Sequence, residues 1–406
     1  MASCKLNMAN QRDVKDIFME NGGCFSSDLG TLDGKVAVPA FRQETFDSKA
    51  WSNMHDPMYE CIGNNAKGDT LAAKLLSVLT NRKIRRGSNA TLKLEDYCPQ
   101  FQAQIQGYVD AGEPVKIVLP AFPFKFPNPL RTPNAVGGDL ADVLALTQIE
   151  GMNQAVQQIY DPGMEFVVLH DSRVYSEIFG ISEEGVQQFQ AGLKKAADKL
   201  CTGIAFVDIV DDLVGNRLVW QSQVDECYES VSKQWAELKD TPHVQELLRN
   251  SRRNVNPACC VGSFSPTHGV SNPADFDHFF EVLYDNPEFE NDPRRVCMDK
   301  YIEEFGRRYL AATAAVNHFN VIGESFPDHL RGTVHPKPGQ LGIHLVNQKT
   351  RPVPWSGVGV IRCNGNTKRG FSTIRNWFDV VREPDRYTAI IANDYDGVFG
   401  YKELPK

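Results

Sequence analysis

Three segments of the chain place polar side chains next to the end of an apolar run. These side chains are Lys125, Asn128 and Arg131 in the first segment, Asp171 and Arg173 in the second, and Arg331 and His335 in the third. Arginine and lysine bind phosphate and carboxylate groups by charge-assisted hydrogen bonds, whereas histidine and aspartate transfer protons near neutral pH. Taken singly, each residue also has an ordinary structural explanation, such as a turn aspartate that bonds the loop backbone. Together they indicate a cationic pocket with one carboxylate and one imidazole, which suits a phosphorylated or carboxylated substrate.

The first segment is a stiff loop. Residues 115–131 read VKIVLPAFPFKFPNPLR, in which an apolar run stops at Pro120 and the stretch contains four prolines and three phenylalanines. Each proline fixes its φ angle and excludes the preceding residue from the helical region, so neither a helix nor a central strand continues through it. A rigid loop loses little conformational entropy when it binds a ligand. The loop alone is equally consistent with a surface connection that has an apolar underside.

Alternating strands and helices position these segments. Strands are predicted over residues 115–119, 165–170 and 204–209, and helices over 140–160 and 182–200 separate them. This is βαβ spacing, which predicts a parallel sheet with helices packed on it. Because the carboxyl ends of parallel neighbours share one sheet edge, the first two polar segments are expected to meet there.

The remaining chain adds to this core. Residues from about 213 to 320 have a mostly helical pattern, and later apolar runs at 341–346 and 358–363 indicate antiparallel strands. The predicted fold class is α/β, with a mostly parallel Rossmann-like sheet, flanking helices, an added helical region and additional C-terminal antiparallel strands. The predicted parts are an N-terminal extension of uncertain structure (1–67), a catalytic α/β domain (68–365) and a C-terminal extension (366–406).

Common catalytic signatures are absent from the sequence. It contains no glycine-rich dinucleotide fingerprint after a strand, no GxxxxGK phosphate loop, no HExxH and no GxSxG. His170 and Asp171 are adjacent, so on an extended chain they point to opposite sides and do not fit the two-histidine, one-carboxylate site of iron oxygenases. The ten cysteines include no CxxC pair, which predicts reduced thiols. We therefore expect no metal site.

Composition excludes several classes of protein. With 42% hydrophobic and 23% charged residues, the chain is expected to be globular. A net charge of −8 argues against a general nucleic-acid binder but is compatible with a local basic pocket for a phosphorylated small molecule. The chain shows no signal-peptide pattern at its start and no run of ~20 apolar residues. We expect a cytoplasmic protein without membrane-spanning segments.

Three separated motifs resemble the isocyanide synthase family, which comprises pyoverdine and dityrosine biosynthesis proteins. The motifs are IVLPAFPFKFPNPLR, EFVVLHDSRVYSEIFGIS, and RGTVHPKPGQLGIHLVNQ followed by Pro354-Trp355, in this order over about residues 70–365. The first contains the family's FPxKxPN element and the second its DxRV element. Ser356 departs from the pattern, because a histidine often occupies that position in the family. Residues 1–67 and 366–406 match no part of the family pattern.

The resemblance implies an enzyme that joins an amino acid, most commonly tyrosine or tryptophan, to ribulose 5-phosphate. The α-amino nitrogen becomes an isonitrile whose carbon comes from C2 of the sugar. No cofactor or metal is implied, and an iron-dependent oxygenase often acts next in the family's pathways. Two alternatives stay open: an N-formyl amino acid synthase of the dityrosine type, and a non-catalytic relative that binds a ligand or partner. The sequence leaves the amino acid and the oligomeric state undetermined.

Roles follow from matching this sequence to the family's motifs. Phosphate or carboxylate binding is assigned to Lys125 and Arg173, and Lys125 is also expected to polarise the ketone. The proton carriers are Asp171 and His335. The predicted catalytic residues are thus Lys125, Asp171 and His335, and the predicted substrate-binding residues are Asn128, Arg131, Arg173, Arg331, Phe122, Phe124 and Trp355.

Overall fold

The structure is a computed structural model that describes residues 41–46, 58–86, 98–126, 132, 138–252, 254, 287–291, 293–335, 339–346, 353–362, 371–381, 383–392 and 398–404. The strands are β1 (Arg42–Phe46), β2 (Val115–Pro120), β3 (Met164–His170), β4 (Ile204–Asp208), β5 (Leu330–Thr333), β6 (Leu341–Gly342), β7 (Val358–Arg362), β8 (Phe371–Arg375), β9 (Tyr387–Ala392) and β10 (Val398–Glu403). The longer helices are α1 (Met58–Asn64), α2 (Leu71–Leu79), α3 (Cys98–Ala111), α4 (Leu140–Gln157), α5 (Ser172–Tyr175), α6 (Glu183–Leu200), α7 (Arg217–Leu238), α8 (Pro242–Arg252), α9 (Pro293–His318), α10 (Val321–Ser325) and α11 (Trp377–Val381). Short helical turns are a π-helical turn at Ile209–Val214 and 3-10 turns at Pro287–Phe289, Pro354–Ser356 and Pro384–Arg386.

Five strands form a parallel sheet in the order β4-β3-β2-β5-β6. The order of the strands reverses between β2 and β5, which makes the crevice at their carboxyl ends a topological switch point, where α/β proteins bind ligands. The central strand β2 is buried on both faces, as expected for a strand covered by helices on each side. The predicted α/β class with a mostly parallel sheet is confirmed.

The helices that connect these strands begin at the polar residues that the sequence offers as caps. The Asp139 carboxylate accepts a hydrogen bond from the N–H of Ala141, and Asp142 bonds back to the Asp139 N–H in a capping box. The Ser182 hydroxyl accepts from the N–H of Gly185 and caps α6 in the same way. Both helices therefore begin within a residue or two of the predicted positions.

A second sheet has the strand order β1-β9-β10-β7-β8. The pairs β9–β10 and β7–β8 are antiparallel, whereas β1–β9 and β10–β7 are parallel. The additional antiparallel strands are thus confirmed. This sheet contains β1 from residues 1–67, β7 from the predicted α/β domain, and β8, β9 and β10 from residues 366–406. The predicted domain boundaries stay predictions, and the sheet crosses the one at 365.

The helical region between β4 and β5 contains α7, α8 and α9, and both α7 and α8 pack against α9. The predicted helical addition at about 213–320 is therefore confirmed within the described residues. The prediction of an antiparallel strand at 341–346 was wrong in length and direction, because only Leu341–Gly342 is a strand and it pairs parallel with β5. Among the described helices, none is long and apolar enough to cross a membrane.

Helix α4 connects the two sheets through contacts that require glycine. A Cβ built on Gly400 of β10 would lie 2.6 Å from the Leu140 Cβ.

Gly400→Ala is therefore expected to lower the free energy of unfolding by about 1–3 kcal/mol, because the helix and the sheet must separate. Gly107→Ala in α3 is the control, since nothing lies within 4 Å of its added Cβ. That change is expected to stabilise the protein by about 0.5–1 kcal/mol. Urea unfolding measures both, and an equally stable Gly400→Ala variant would contradict this packing.

Candidate active site

The carboxyl edge of the parallel sheet gathers the predicted site segments. The loop of residues 121–126 leaves β2, Asp171 follows β3, Asp208 ends β4, and His335 follows β5. Since these strands are parallel neighbours, their carboxyl ends lie side by side. The edge includes the switch point between β2 and β5, so the loop after β2 and the turn after β5 border the crevice where a ligand is expected.

Lys125 anchors the loop after β2 from the inside. Its side chain is 0% exposed, and its Nζ lies 2.8 Å from Asp139 Oδ1, 2.7 Å from Asp142 Oδ2 and 2.9 Å from the Pro354 carbonyl oxygen. Burial opposes the positive charge, but the two carboxylates outweigh it and raise the pKa of Lys125. The ammonium donates to three acceptors and has no proton left for a substrate ketone or phosphate. This geometry favours a positioning role over the predicted contact with substrate.

The opposite side of the loop is held by β3 and α5. The His170 Nδ1 lies 2.9 Å from the Phe122 carbonyl oxygen, and the Ser172 hydroxyl donates to the Pro123 carbonyl. Burial lowers the pKa of His170, so the neutral ring donates its Nδ1 hydrogen. Phe122 has a φ of 56°, a left-handed conformation that costs a non-glycine residue about 1 kcal/mol or more. Its ring meets that of Trp355 edge-on at 5.8 Å. Contacts on both sides therefore fix an unfavourable backbone conformation.

The predicted aromatic pocket residues lie in the hydrophobic core. Phe122, Phe124 and Trp355 are 0%, 1% and 6% exposed. The Phe124 ring packs edge-on against Phe179 at 5.3 Å, and Phe179 packs against Phe305 of α9 at 4.8 Å. This aromatic cluster joins the loop to the helical region. A direct contact between these rings and a substrate side chain stays a prediction.

Asp171 is a carboxylate with a buried, unsatisfied oxygen. Within the described part of the chain, its Oδ1 has no hydrogen-bond partner. Burial, with a smaller contribution from the negative charge of Asp208, raises the pKa of Asp171 to about 7. A buried oxygen without a partner is costly, and such groups occur at functional sites. A carboxyl group with this pKa can both donate and accept a proton near neutral pH, as the predicted role as proton carrier requires.

Two tyrosines and a threonine that the sequence analysis did not assign to the site lie near Asp171. The Tyr175 and Tyr309 rings stack at 4.7 Å, and the Tyr175 hydroxyl lies 3.2 Å from Thr313 Oγ1. Burial is the main cause that raises the pKa of both tyrosines, and the charge of Asp171 adds to it. Both hydroxyls therefore keep their protons at neutral pH. Tyr309 and Thr313 come from α9, more than a hundred residues after the motif that contains Asp171, so no local pattern identified them.

Arg173 is bound by three carboxylates. Its guanidinium lies 2.6 Å from Asp208, 2.7 Å from Glu183 and 3.1 Å from Asp211, and its side chain is 11% exposed. These partners raise its pKa against the opposing effect of burial. The contacts tie the ends of β3 and β4 to the start of α6. Binding of a substrate anion by Arg173 stays a prediction, and it would require these ion pairs to break.

Arg331 and His335 are exposed, unlike Lys125. The N–H of His335 donates to Thr333 Oγ1 at 3.0 Å, which forms the turn after β5. Asn128 and Arg131, the other two polar residues predicted from the loop, lie outside the described residues. Within the described residues, no group of three or more His, Cys, Asp or Glu side chains is arranged to hold a metal ion.

Comparison with known proteins identifies the family. The family model "Pyoverdine/dityrosine biosynthesis protein" matches residues 105–373, about two thirds of the chain, and this region contains the whole carboxyl edge described above. The chain belongs to this family. The predicted resemblance is therefore confirmed.

Characterised relatives carry more specific names. The chain is 23% identical over 304 residues to an L-tyrosine isonitrile synthase of Pseudomonas aeruginosa, covering 72% of this chain and 85% of the relative. It is 23% identical over 256 residues to an L-tryptophan isonitrile synthase of Fischerella ambigua, covering 62% and 72%. It is 35% identical over 177 residues to an isocyanide synthase of Aspergillus fumigatus, covering 42% of this chain and 23% of that protein. The crystal structure of the PvcA protein from Pseudomonas aeruginosa has the same fold, with a TM-score of 0.58 at 19% identity over 82% of this chain and 100% of that one.

Proposed function

We propose that this protein is an isocyanide synthase that converts the α-amino group of tyrosine or tryptophan to an isonitrile, with C2 of ribulose 5-phosphate as the carbon donor. The observation that carries the proposal is the carboxyl group of Asp171. It lies at the sheet edge inside the family-matched region, has a buried oxygen without a partner, and has a pKa of about 7. The names of the relatives support an aromatic amino acid as substrate.

The first steps of this reaction need proton transfer more than a nucleophile from the protein. The amine attacks the sugar ketone, a carbon–nitrogen bond forms, and the ketone oxygen takes up a proton to give a carbinolamine. That hydroxyl then leaves as water after it receives a second proton. Protonated Asp171 is suited to donate to this oxygen, because its pKa matches the working pH. The hydroxyls of Tyr175 and Tyr309, which stay protonated, are suited to donate hydrogen bonds to the same oxygen.

The second candidate is formation of an N-formyl amino acid. The family description includes dityrosine biosynthesis, and addition of water to an isonitrile carbon gives a formamide. The same carboxyl edge would serve both reactions, because they share the carbon–nitrogen bond-forming step. The mass of the product separates them, since the formamide is heavier by one water.

Purified protein incubated with ribulose 5-phosphate and a mixture of amino acids tests the proposal. A tetrazine traps isonitriles, and mass spectrometry identifies the trapped amino acid and any formamide. We expect a trapped isonitrile of tyrosine or tryptophan that depends on both substrates. A formamide without a trapped isonitrile would favour the second candidate. The absence of both products from every amino acid would contradict the proposal and favour a non-catalytic binding protein.

The contribution of the Tyr309 hydroxyl can be tested alone. Tyr309→Phe keeps the ring that stacks on Tyr175 and removes only the hydroxyl. We expect kcat to fall roughly tenfold, the effect of losing a hydrogen bond of about 1.5 kcal/mol to a developing charge. Tyr228→Phe is the control, because its hydroxyl bonds Glu304 within the helical region. Steady-state rates of both variants decide the matter, and an unchanged kcat for Tyr309→Phe would remove this hydroxyl from the site.

A further inference from the structure

Beyond β6, a short antiparallel segment extends the parallel sheet. The N–H of Arg86 donates to the Gly342 carbonyl at 3.0 Å, and the N–H of His344 donates to the Ile84 carbonyl at 2.8 Å. Side chains alternate between the two faces along such a segment, and residues opposite each other share a face. Arg86 and His344 therefore lie on one face of the sheet, whereas Arg85, which is bridged to the next residue of the other strand, lies on the opposite face.

Arg331 of β5 lies on the same face as Arg86. Thr333 is level with Gly342 across the β5–β6 pair, and Arg331 precedes Thr333 by two residues on one strand, so the three share a face. Gly332 lies on the opposite face, because a Cβ there would lie 2.8 Å from Ile343 Cδ1, and Ile343 is the residue bridged to Arg85. In strand order, His344 lies between the two arginines.

The same alternation connects this cationic face to the proton carrier. Val118 of β2 is level with Arg331 on one side and with Val167 of β3 on the other. Counting in steps of two from Val167 places Asp171 on this face as well. The distance from β3 to the segment that carries Arg86, beyond β6, is four strand spacings, or ~19 Å. The side chains of Asp171 and the arginines shorten this span, which leaves room for an elongated sugar phosphate across the switch point.

Charge distinguishes these two arginines from the cations named by the family motifs. Lys125 and Arg173 are surrounded by carboxylates, whereas within the described residues no carboxylate pairs with Arg86 or Arg331. Burial lowers the pKa of both arginines. Burial, followed by the charge of Arg86, lowers the pKa of His344 to about 4, so its ring is neutral at physiological pH. Arg86 is half-buried, so the lack of a counter-ion among the described residues is unfavourable, and binding of an anion relieves this cost, whereas the exposed Arg331 adds a second positive charge to the same face.

We propose that Arg86 and Arg331, with His344 on the strand between them, form the subsite that binds the phosphate group of the sugar substrate. The inference rests on the proposed function, because it assigns one end of the same substrate. Arg86 precedes residues 105–373, the region matched by the family model, so the family motifs do not contain it. The sugar then extends from this subsite across the β2–β5 crevice towards Asp171.

The experiment compares Arg86→Ala and Arg331→Ala with Arg85→Ala, which removes a neighbouring arginine from the opposite face. We expect the KM for ribulose 5-phosphate to rise by at least about 30-fold in Arg86→Ala, the effect of removing a charge partner from a half-buried site, and by a smaller factor in Arg331→Ala, because Arg331 is exposed. The KM for the amino acid is expected to stay the same, and Arg85→Ala is expected to match the wild type. Inorganic phosphate should compete with the sugar phosphate in the wild type and lose this effect in Arg86→Ala.

Calorimetric titration with inorganic phosphate and with ribulose 5-phosphate separates this inference from the proposed reaction, because it requires no turnover. Weaker binding to Arg86→Ala than to Arg85→Ala supports the subsite even if no isonitrile forms. Equal binding to wild type, Arg86→Ala and Arg331→Ala would overturn the subsite and leave the proposed reaction intact. Arg86→Lys, which keeps a charge, provides a folded variant if Arg86→Ala does not fold, and it should retain part of the affinity.

Discussion

Replacing Asp171 with asparagine is expected to reduce kcat for isonitrile formation by about 10²–10⁴-fold, the usual contribution of a general acid or base. Asparagine has nearly the same shape, so the packing around β3 is expected to persist, but it has no acidic proton to donate to the ketone oxygen. Rates at saturating substrate measure the effect. Asp198→Asn is the matched control, because Asp198 is exposed on α6, away from the site. A kcat for Asp171→Asn within a few-fold of the wild type would contradict the role.

The pH dependence of the wild type and of Asp171→Asn shows whether the reaction uses the protonated or the ionised form of Asp171. The pKa of Asp171 is about 7, so a reaction that uses its protonated form should lose kcat/KM as the pH rises through about 7. This limb should be absent from Asp171→Asn. The free energy of unfolding should depend on the same titration, because the pKa of Asp171 is higher in the folded state than in the unfolded state. The contribution of Asp171 to stability is therefore largest at low pH and is lost as the pH rises through about 7. Asparagine should therefore increase stability relative to the wild type at pH 8 more than at pH 5.

Replacing Lys125 with methionine is expected to lower the free energy of unfolding by about 3–5 kcal/mol, because it leaves two buried carboxylates without their cation. Burial raises the pKa of Asp142 to about 7, even though the positive charge of Lys125 acts to lower it. Removal of the ammonium should push this carboxyl further towards its protonated form. Urea unfolding provides the measurement, and Lys194→Met on the exposed face of α6 is the control, expected within about 0.5 kcal/mol of the wild type.

A second substitution separates the structural account of Lys125 from the predicted contact with substrate. Adding Asp142→Asn to Lys125→Met removes one of the two uncompensated charges and should restore part of the lost stability. Under the structural account, the loss of activity follows the loss of stability. If Lys125→Met is as stable as the wild type but has a much higher KM for ribulose 5-phosphate, then Lys125 contacts the substrate and the positioning role is wrong.

The sequence indicated the main elements of the fold because they are long and regular. The apolar stripe of α4 continues over 18 residues, and the buried runs of β2 and β3 have the 6 and 7 residues that are typical of strands. β5 has four residues and β6 has two, too few for such a pattern, so the β2–β5 switch point emerged only from the strand pairing. No strand was predicted after residue 366, so β8, β9 and β10 emerged only from the structure.

The candidate site was predictable in its residue types but not in its partners. Asp171 follows a clear strand and lies at the expected edge. Whether a cation is free or neutralised depends on residues far along the chain: Asp139 lies 14 residues from Lys125, and Asp208 lies 35 residues from Arg173. No spacing rule links such positions. Arg86, which pairs with no carboxylate among the described residues, is likewise defined by what surrounds it in space, and it lies outside the matched family region.

The most direct test of the central claim is to supply ribulose 5-phosphate labelled with carbon-13 at C2 to the purified protein together with tyrosine or tryptophan. Mass spectrometry of the tetrazine-trapped product then reports the origin of the isonitrile carbon. We predict that the product contains one carbon-13 atom and that Asp171→Asn gives almost none of it. An unlabelled isonitrile, or no isonitrile from the wild-type protein with either amino acid, would contradict the proposed reaction.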